Sequence, residues 1–159
     1  MRQRAVGACQ RLAVRGRQPR PETLAAADPA ALPMPRSRAL ALTGLGTALA
    51  SGELVLDPGA ERDRAEAVLL ALPGIGPWTA SYIRMRALSD PDAFLPSDVG
   101  VLDALARLGA LPLNTGPAGT GPSARARAAR AAAALAEKWR PWRSYAVHHL
   151  WAYLEEKDR

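Results

Sequence analysis

Apolar side chains recur at helical spacing along most of the chain and predict an all-helical protein. In the middle of the sequence, Ala65, Val68, Leu69 and Leu72 follow the i, i+3, i+4, i+7 order of one helix face. Helices are predicted over about residues 2–16, 22–27, 36–50, 58–72, 77–88, 98–108, 125–140 and 142–156. No segment shows the period of two that half-buried strands have, so the predicted fold class is all-α.

Glycine and proline interrupt this pattern most sharply between Leu72 and Ala80, where the sequence reads Leu-Pro-Gly-Ile-Gly-Pro-Trp-Thr-Ala. Gly74 and Gly76 can adopt positive φ without a Cβ clash, and Pro77 suits the first turn of a new helix. We therefore predict a helix, a tight turn and a second helix. The first amides of that second helix lack intrahelical acceptors and form an anion site. An ordinary helical hairpin carries the same glycines, so the turn alone does not decide the function.

Two further segments predict where helices begin and where the chain loops. Asp57 and Pro58 suit the N-cap and first turn of the helix that leads into the hairpin. Residues 111–124 are rich in Gly, Pro, Ser and Thr and predict a surface loop that is an insertion. At 159 residues, the chain is expected to form one domain over 1–159.

The C-terminal region gathers most of the aromatic side chains. We expect Trp139, Trp142 and Tyr145 to anchor the hydrophobic core. His148 and His149 are adjacent and lack a third ligand, which makes a poor metal site, so we expect structural or surface positions for both.

The charge of the chain is strongly basic, with a formal net charge of +6 and a pI near 10.4. Only Lys138 and Lys157 are lysines, so 19 of the 21 basic residues are arginine (21 − 2). Arginine suits forked contacts with phosphate, and a basic domain favours a polyanionic partner. A GC-rich genome would give the same alanine and arginine content. The Ala-Arg run between residues 124 and 130 is likewise either a solvated face or a phosphate contact.

Several classes of protein are disfavoured by the composition. Cys9 is the only cysteine, which excludes an intrachain disulfide and a cysteine metal cluster. No apolar run approaches the roughly 20 residues of a membrane span, and residues 1–17 lack the apolar segment of a secretory signal. The sequence therefore indicates a soluble, cytoplasmic protein without membrane contact.

Three ordered segments, residues 72–80, 90–98 and 138–145, carry a resemblance to a known family. With them, the chain resembles the alkylpurine (3-methyladenine) DNA glycosylase II family over about residues 2–155. The resemblance implies a helix-hairpin-helix fold and an enzyme that flips an alkylated base out of double-stranded DNA and hydrolyses its N-glycosidic bond. It implies base excision repair of DNA damage by a chromosome-associated monomer that requires no cofactor.

The resemblance also implies roles for individual residues. Asp98 is the catalytic carboxylate, which either orients the attacking water or stabilises the oxocarbenium-like state. Without the family, a helix N-cap would be the favoured role of Asp98. Trp78, Tyr82 and Trp151 line the base pocket, where aromatic faces attract a cationic purine. Strand-cutting relatives carry lysine where Trp78 stands, so a monofunctional glycosylase is expected.

The hairpin and the N-terminus complete the implied DNA contacts. Phosphate is expected on the amides of Gly74, Gly76, Trp78 and Thr79, and Gln3 is placed near the wedge that fills the gap left by the flipped base. The main-chain carbonyls of Leu70, Leu72 and Ile75 are expected to hold a monovalent cation, Na+ or K+.

The chain differs from the family in starting where an N-terminal region normally precedes it, which indicates an N-terminally truncated form. Two other functions therefore stay open. The first is a non-catalytic helix-hairpin-helix DNA-binding domain or inactive fragment, and the second is a helical scaffold without a DNA role.

Overall fold

The regular elements are all helical in the computed structural model of the protein, which describes residues 19–111 and 121–157. They are α1 (Pro21–Ala25), α2 (Arg36–Ala50), α3 (Arg62–Ala71), α4 (Pro77–Ala87), α5 (Val99–Arg107), α6 (Pro122–Ala136), a 3-10 turn (Glu137–Trp139) and α7 (Arg143–Lys157). The all-α prediction is confirmed for these residues. The helix predicted over 2–16 lies outside them.

Contacts within the chain divide it into two compact units, Met1–Ala80 and Ser81–Arg159. In the first unit, α1 packs on α2 at a position that only glycine permits. A Cβ on Gly46 would lie 2.6 Å from the Cβ of Leu24 and 2.8 Å from the backbone nitrogen of Ala25. Glycine at position 46 is less favourable for the helix than alanine, but it allows α1 and α2 to approach closely. The buried apolar side chains of this unit are Leu32, Ala39, Ala48, Leu54, Ala65, Leu69 and Ala80.

The predicted helix-turn-helix is present at the end of this first unit. After α3, Leu72 is extended with φ −76° and ψ 128°, and Gly74 has φ +86°. The positive φ of Gly74 favours glycine, and a Cβ there would also lie in tight contact with the Cβ of Ala41, at 3.0 Å. Gly76, which could also have adopted positive φ, does not do so. Its carbonyl instead accepts the first hydrogen bond of α4, 3.0 Å from the N–H of Ala80.

The predicted start of α3 is wrong. The helix begins at Arg62 with Glu61 as its N-cap, and Glu61 makes no side-chain capping bond. The carbonyl of Asp57 accepts a hydrogen bond from Ala60 at 2.9 Å and closes a local turn instead. Asp-Pro-Gly is a strong turn sequence, and here the turn outweighs the helix-start signal.

The core of the second unit is formed by α5, α6, α7 and the extended segment before α5. One face of α6 is alanine at every fourth residue, and these small side chains bury the helix against its neighbours. They are Ala124, Ala128, Ala132 and Ala136. Larger side chains complete the core: Met85, Phe94, Leu95, Val101, Leu105, Leu111, Val147 and Leu150. Because α6 begins at Pro122, the last residues of the predicted loop are helical, and most of that loop lies outside the described residues.

The aromatic side chains of the C-terminal region differ in burial. Trp139 packs edge-on against Phe94 at the core, with ring centroids 6.0 Å apart, as predicted. The core prediction is wrong for Trp142 and Tyr145, which are each 57% exposed and stack edge-on against one another at the start of α7. Within the described residues, no helix combines the length and apolarity that crossing a membrane requires.

Candidate active site

Asp98 is the N-cap of α5, directly after the turn formed by Leu95 and the two residues that follow it. Its backbone is extended, with φ −68° and ψ 130°, and its Oδ1 accepts the N–H of Val101 at 2.9 Å. The N-cap role that the sequence suggested is therefore present. Capping fixes the rotamer of the carboxylate and places it at the positive end of a helix dipole.

A second donor reaches the same carboxylate oxygen from another helix. The indole Nε1 of Trp151, on α7, donates to Asp98 Oδ1 at 3.0 Å. Capping of α5 does not require this bond, because Asp98 already caps the helix by accepting the Val101 N–H. The Trp151 contact joins α7 to the start of α5 and places an indole ring beside the carboxylate of Asp98.

Two more rings surround the indole of Trp151. Tyr82, from the part of α4 in the second unit, lies with its ring centroid 6.3 Å away at an interplanar angle of 47°. His148, one turn earlier on α7, stands perpendicular to the indole at 5.6 Å. His148 and His149 are both exposed, which supports the surface alternative of the two positions predicted for them. The structure thus brings together Asp98, Tyr82 and Trp151, three of the residues predicted for the site.

Gly100 belongs to this site, although the sequence reasoning missed it. A Cβ at this position would lie 3.2 Å from both Asp98 Oδ1 and Trp151 Cδ1. Glycine in a helix is unfavourable by about 0.5–1 kcal/mol relative to alanine, so its place in the first turn of α5 was the available signal. The absent side chain leaves room for the indole to approach the carboxylate.

The two other motif segments of the second unit, residues 90–98 and 138–145, are held together at the start of α7. The Ser144 hydroxyl is shared between the carbonyls of Asp90 at 2.6 Å and Ala93 at 3.0 Å, and the Ser144 amide donates to Pro91 at 2.8 Å. The Asp90 side chain is only 4% exposed, pairs with Arg84 and accepts the amide of Asp92 at 2.8 Å. This clamp fixes α7 against the segment that ends in Asp98.

Ion pairs around Asp92 reinforce the clamp. Arg143 binds both Asp92 oxygens, with Nε at 2.7 Å and Nη2 at 2.9 Å, and Arg140 adds a contact at 2.7 Å. Partial burial raises the pKa of the Asp92 carboxyl, but the hydrogen bonds and charges of the two arginines outweigh it and hold that pKa below its ordinary value. The hydrogen bond from Arg140 likewise lowers the pKa of Glu137, and Glu137 in turn raises that of Arg140.

The remaining predicted site residues belong to the first unit or lie outside the described residues. Trp78 is in the first turn of α4 and is 40% exposed. Thr79 follows it, and the hairpin residues Leu70, Leu72, Gly74, Ile75 and Gly76 precede it. Gln3 lies outside the described residues. Across the two described ranges, no three His, Cys, Asp or Glu side chains come together as metal ligands.

Fold and site together define an all-helical domain with a glycine hairpin and a helix-capping carboxylate held by an indole. No protein-family model matches the chain. Over 134 residues it is 45% identical to a probable bifunctional transcriptional activator/DNA repair enzyme AlkA of Mycobacterium tuberculosis, covering 84% of this chain and 24% of that protein. Over 136 residues it is 37% identical to DNA-3-methyladenine glycosylase 2 of Escherichia coli K12, covering 84% and 42%. A DNA-3-methyladenine glycosylase of Bacillus subtilis is 32% identical over 115 residues, covering 71% and 34%.

These similarities, over 71–84% of this chain, support its assignment to the DNA-3-methyladenine glycosylase II (AlkA) family. The chain spans between about a quarter and two fifths of the length of these relatives. The family resemblance drawn from the three sequence segments is confirmed.

Proposed function

We propose that the chain is a monofunctional DNA glycosylase that hydrolyses the N-glycosidic bond of alkylated purines in base excision repair. The observation that carries the proposal is the carboxylate of Asp98, held by Val101 and by Trp151 within an aromatic cluster. A cap alone needs no indole on its side-chain oxygen. The names of the relatives support the same activity.

The proposed reaction requires little activation of the leaving group by the protein, because an alkylated purine is cationic and leaves as a neutral base. The bond between C1′ and the base nitrogen breaks, and its electron pair leaves with the base. Water then forms the new bond to C1′ and loses a proton. Asp98 is proposed to stand beside C1′, where it either orients that water or offsets the positive charge that develops on the sugar.

The aromatic side chains are proposed to receive the flipped base. A cation over the face of a tryptophan or tyrosine is favoured by about 0.5–2 kcal/mol. Tyr82 and Trp151 offer such rings next to Asp98, and Trp78 is the third aromatic side chain that the family resemblance assigns to the base. The ring of His148 borders the same indole and limits the space around it.

The hairpin is proposed to hold the DNA backbone through main-chain groups. The amides of Gly74, Gly76, Trp78 and Thr79 flank the start of α4, where the first N–H groups lack intrahelical acceptors. Such contacts fix the duplex without reading its sequence.

A monovalent cation, Na+ or K+, is proposed at the carbonyls of Leu70, Leu72 and Ile75. These residues fit because Leu70 lies in the last turn of α3, where carbonyls lack intrahelical donors. Leu72 is extended, and its carbonyl uses one of its two lone pairs for the Ile75 amide at 3.1 Å. A bound cation would supply positive charge next to the phosphate contact.

Double-stranded DNA with alkylated bases is the proposed partner, bound by a monomer. The test is release of methylated purines from alkylated duplex by the purified chain, followed by chromatography of the free bases. Release above the spontaneous rate supports the proposal. Duplex binding without any release would instead identify a non-catalytic DNA-binding domain.

A further inference from the structure

We propose that the exposed sides of α6 form a second DNA-contacting surface, in which Arg125, Arg127 and Arg130 bind phosphates of the duplex backbone. The proposal rests on the proposed function, because it names an additional contact with the same partner. It concerns a helix to which the candidate active site and the hairpin assign no role.

Among the described residues of the second unit, some arginines form ion pairs and others, including Arg86 on α4, do not. Arg84, Arg140 and Arg143 are held in ion pairs with Asp90, Asp92 and Glu137, and their role is structural. By contrast, the three arginines of α6 are exposed, and none of them forms an ion pair or a side-chain hydrogen bond within the described residues. Their charge is therefore not used to hold the fold together.

The local sequence is free of acidic residues over an unusually long stretch. No Asp or Glu occurs between Asp103 and Glu137, and α6 carries no acidic side chain in its first turn. No acidic side chain on this helix neutralises the charge of the three arginines, which is the pattern expected for a polyanion contact rather than for a charge-balanced solvated helix.

The packing of α6 fixes where the arginines lie. The stripe of alanines from Ala124 to Ala136 is buried against the core, so the helix cannot rotate without exposing that stripe. Arg127 and Arg130 are three residues apart and are neighbours on the helix surface. Arg125 is attached about 160° around the helix axis from Arg127, so the three guanidinium groups are proposed to bind phosphates on two flanks of α6.

The exposed side chains of α6 favour nucleic acid over a protein as the partner. The other exposed side chains along α6 are small, including Ser123, Ala126 and Ala134, and they provide no large apolar anchor. Protein interfaces depend on such buried anchors, whereas phosphate contacts need only directed cationic donors. The forked guanidinium group matches phosphate oxygens in pairs.

The test compares two triple variants that remove the same charge from the same unit. The first variant removes the three positive charges of α6 and is Arg125→Gln/Arg127→Gln/Arg130→Gln. The second removes three exposed positive charges elsewhere and is Arg86→Gln/Lys138→Gln/Lys157→Gln. Glutamine is a good helix former, so α6 should persist in the circular dichroism spectrum. Affinity for an undamaged 20-base-pair duplex is measured by fluorescence anisotropy over a salt series.

We expect the α6 triple to lower the slope of log K against log salt by about 2 to 3, since each phosphate contact contributes about 0.9. Affinity at about 0.1 M salt should fall at least tenfold. The matched control should change the slope by less than 1. Replacing the same three arginines by lysine should restore the slope, and Arg130→Gln alone should lower it by about 1.

Three outcomes would overturn the proposal: an unchanged slope in the α6 triple, an equal loss in both triples, or a parent chain that does not bind duplex. Polyglutamate that competes as well as duplex at equal charge would point to an acidic protein instead. Base release at saturating DNA is measured in parallel. Absence of release would contradict the glycosylase proposal, whereas the salt dependence of duplex binding would still test the α6 contact.

Discussion

The indole N–H of Trp151 lies 3.0 Å from Oδ1 of Asp98, a contact that spans 53 residues of sequence. It joins the last helix to the start of α5 at the carboxylate that the family resemblance places in catalysis. The same oxygen accepts the Val101 amide at 2.9 Å, so its position is fixed by two donors from different helices.

Trp151→Phe is expected to keep an aromatic surface and remove the indole donor. A hydrogen bond to a charged group is worth about 1.5–3 kcal/mol. Because this bond positions Asp98 for the reaction, its loss should slow base release at least about tenfold. Single-turnover release of methylated purine measures the effect. Trp139→Phe is the control, because Trp139 packs against Phe94 and should leave the rate within about threefold. Equal rates in both variants would show that the indole donor has no role.

Gly100→Ala is expected to slow base release without improving stability. The new Cβ would lie 3.2 Å from Asp98 Oδ1 and from Trp151 Cδ1, so one of the two must move. The matched change, Gly44→Ala in α2, meets nothing within 4 Å and should raise the free energy of unfolding by about 0.5–1 kcal/mol. Urea unfolding and base release are measured for both. A Gly100→Ala variant that is as active as the parent and as stabilised as Gly44→Ala would refute the close approach.

Asp92→Asn is expected to make stability less dependent on pH. The folded pKa of Asp92 lies below its ordinary value of 3.8, so the arginine network stabilises the fold above about pH 4. That contribution is lost as the pH falls through the lowered folded pKa. The variant should lose about 1.5–3 kcal/mol at pH 7, and its difference from the parent should shrink towards about pH 3.

Urea unfolding at several pH values measures this dependence. Asp57→Asn serves as the control, because Asp57 is exposed and uses its backbone carbonyl, not its carboxylate, in the turn that it closes. A constant difference between Asp92→Asn and the parent from pH 7 to pH 3 would contradict the assigned role of the carboxylate.

The chain is expected to release bases without cutting the strand. Trp78 stands where strand-cutting relatives are expected to carry lysine, and a tryptophan cannot form a Schiff base with the sugar. The product strand should therefore break only after alkali. Borohydride in the reaction should trap no covalent protein–DNA adduct, and any adduct would have to be mapped by mass to Lys138, Lys157 or the N-terminal amine before lyase activity is assigned.

Local sequence signals predicted most of the helices because glycine and proline mark their ends. The bounds of α2 are those predicted, and α4 begins at Pro77 as expected. The start of α3 failed because Asp57 has two local options, a turn and a cap, with similar sequence signals. Periodicity also cannot tell a core tryptophan from a surface one, so the exposure of Trp142 was missed.

The sequence could indicate only those site residues whose own side chains have a chemical function. Asp98 and Trp151 were singled out from a family resemblance, whereas Gly100 has no side chain to attract notice and matters through what lies beside it. The clamp of Ser144 on the carbonyls of Asp90 and Ala93 depends on backbone atoms about 50 residues away, which no local pattern encodes.

Base release from methylated duplex by Asp98→Asn, measured beside the parent chain, tests directly whether Asp98 is catalytic. Asparagine caps helices about as well as aspartate and keeps a side-chain oxygen for Val101 and Trp151, so fold and DNA affinity should persist. Asp103→Asn, in the same helix, controls for loss of one carboxylate. Release is expected to fall at least about a hundredfold for Asp98→Asn alone, since this change removes the charge that stabilises the reacting sugar. Near-parent turnover in a folded Asp98→Asn variant would contradict it and leave Asp98 as a helix cap.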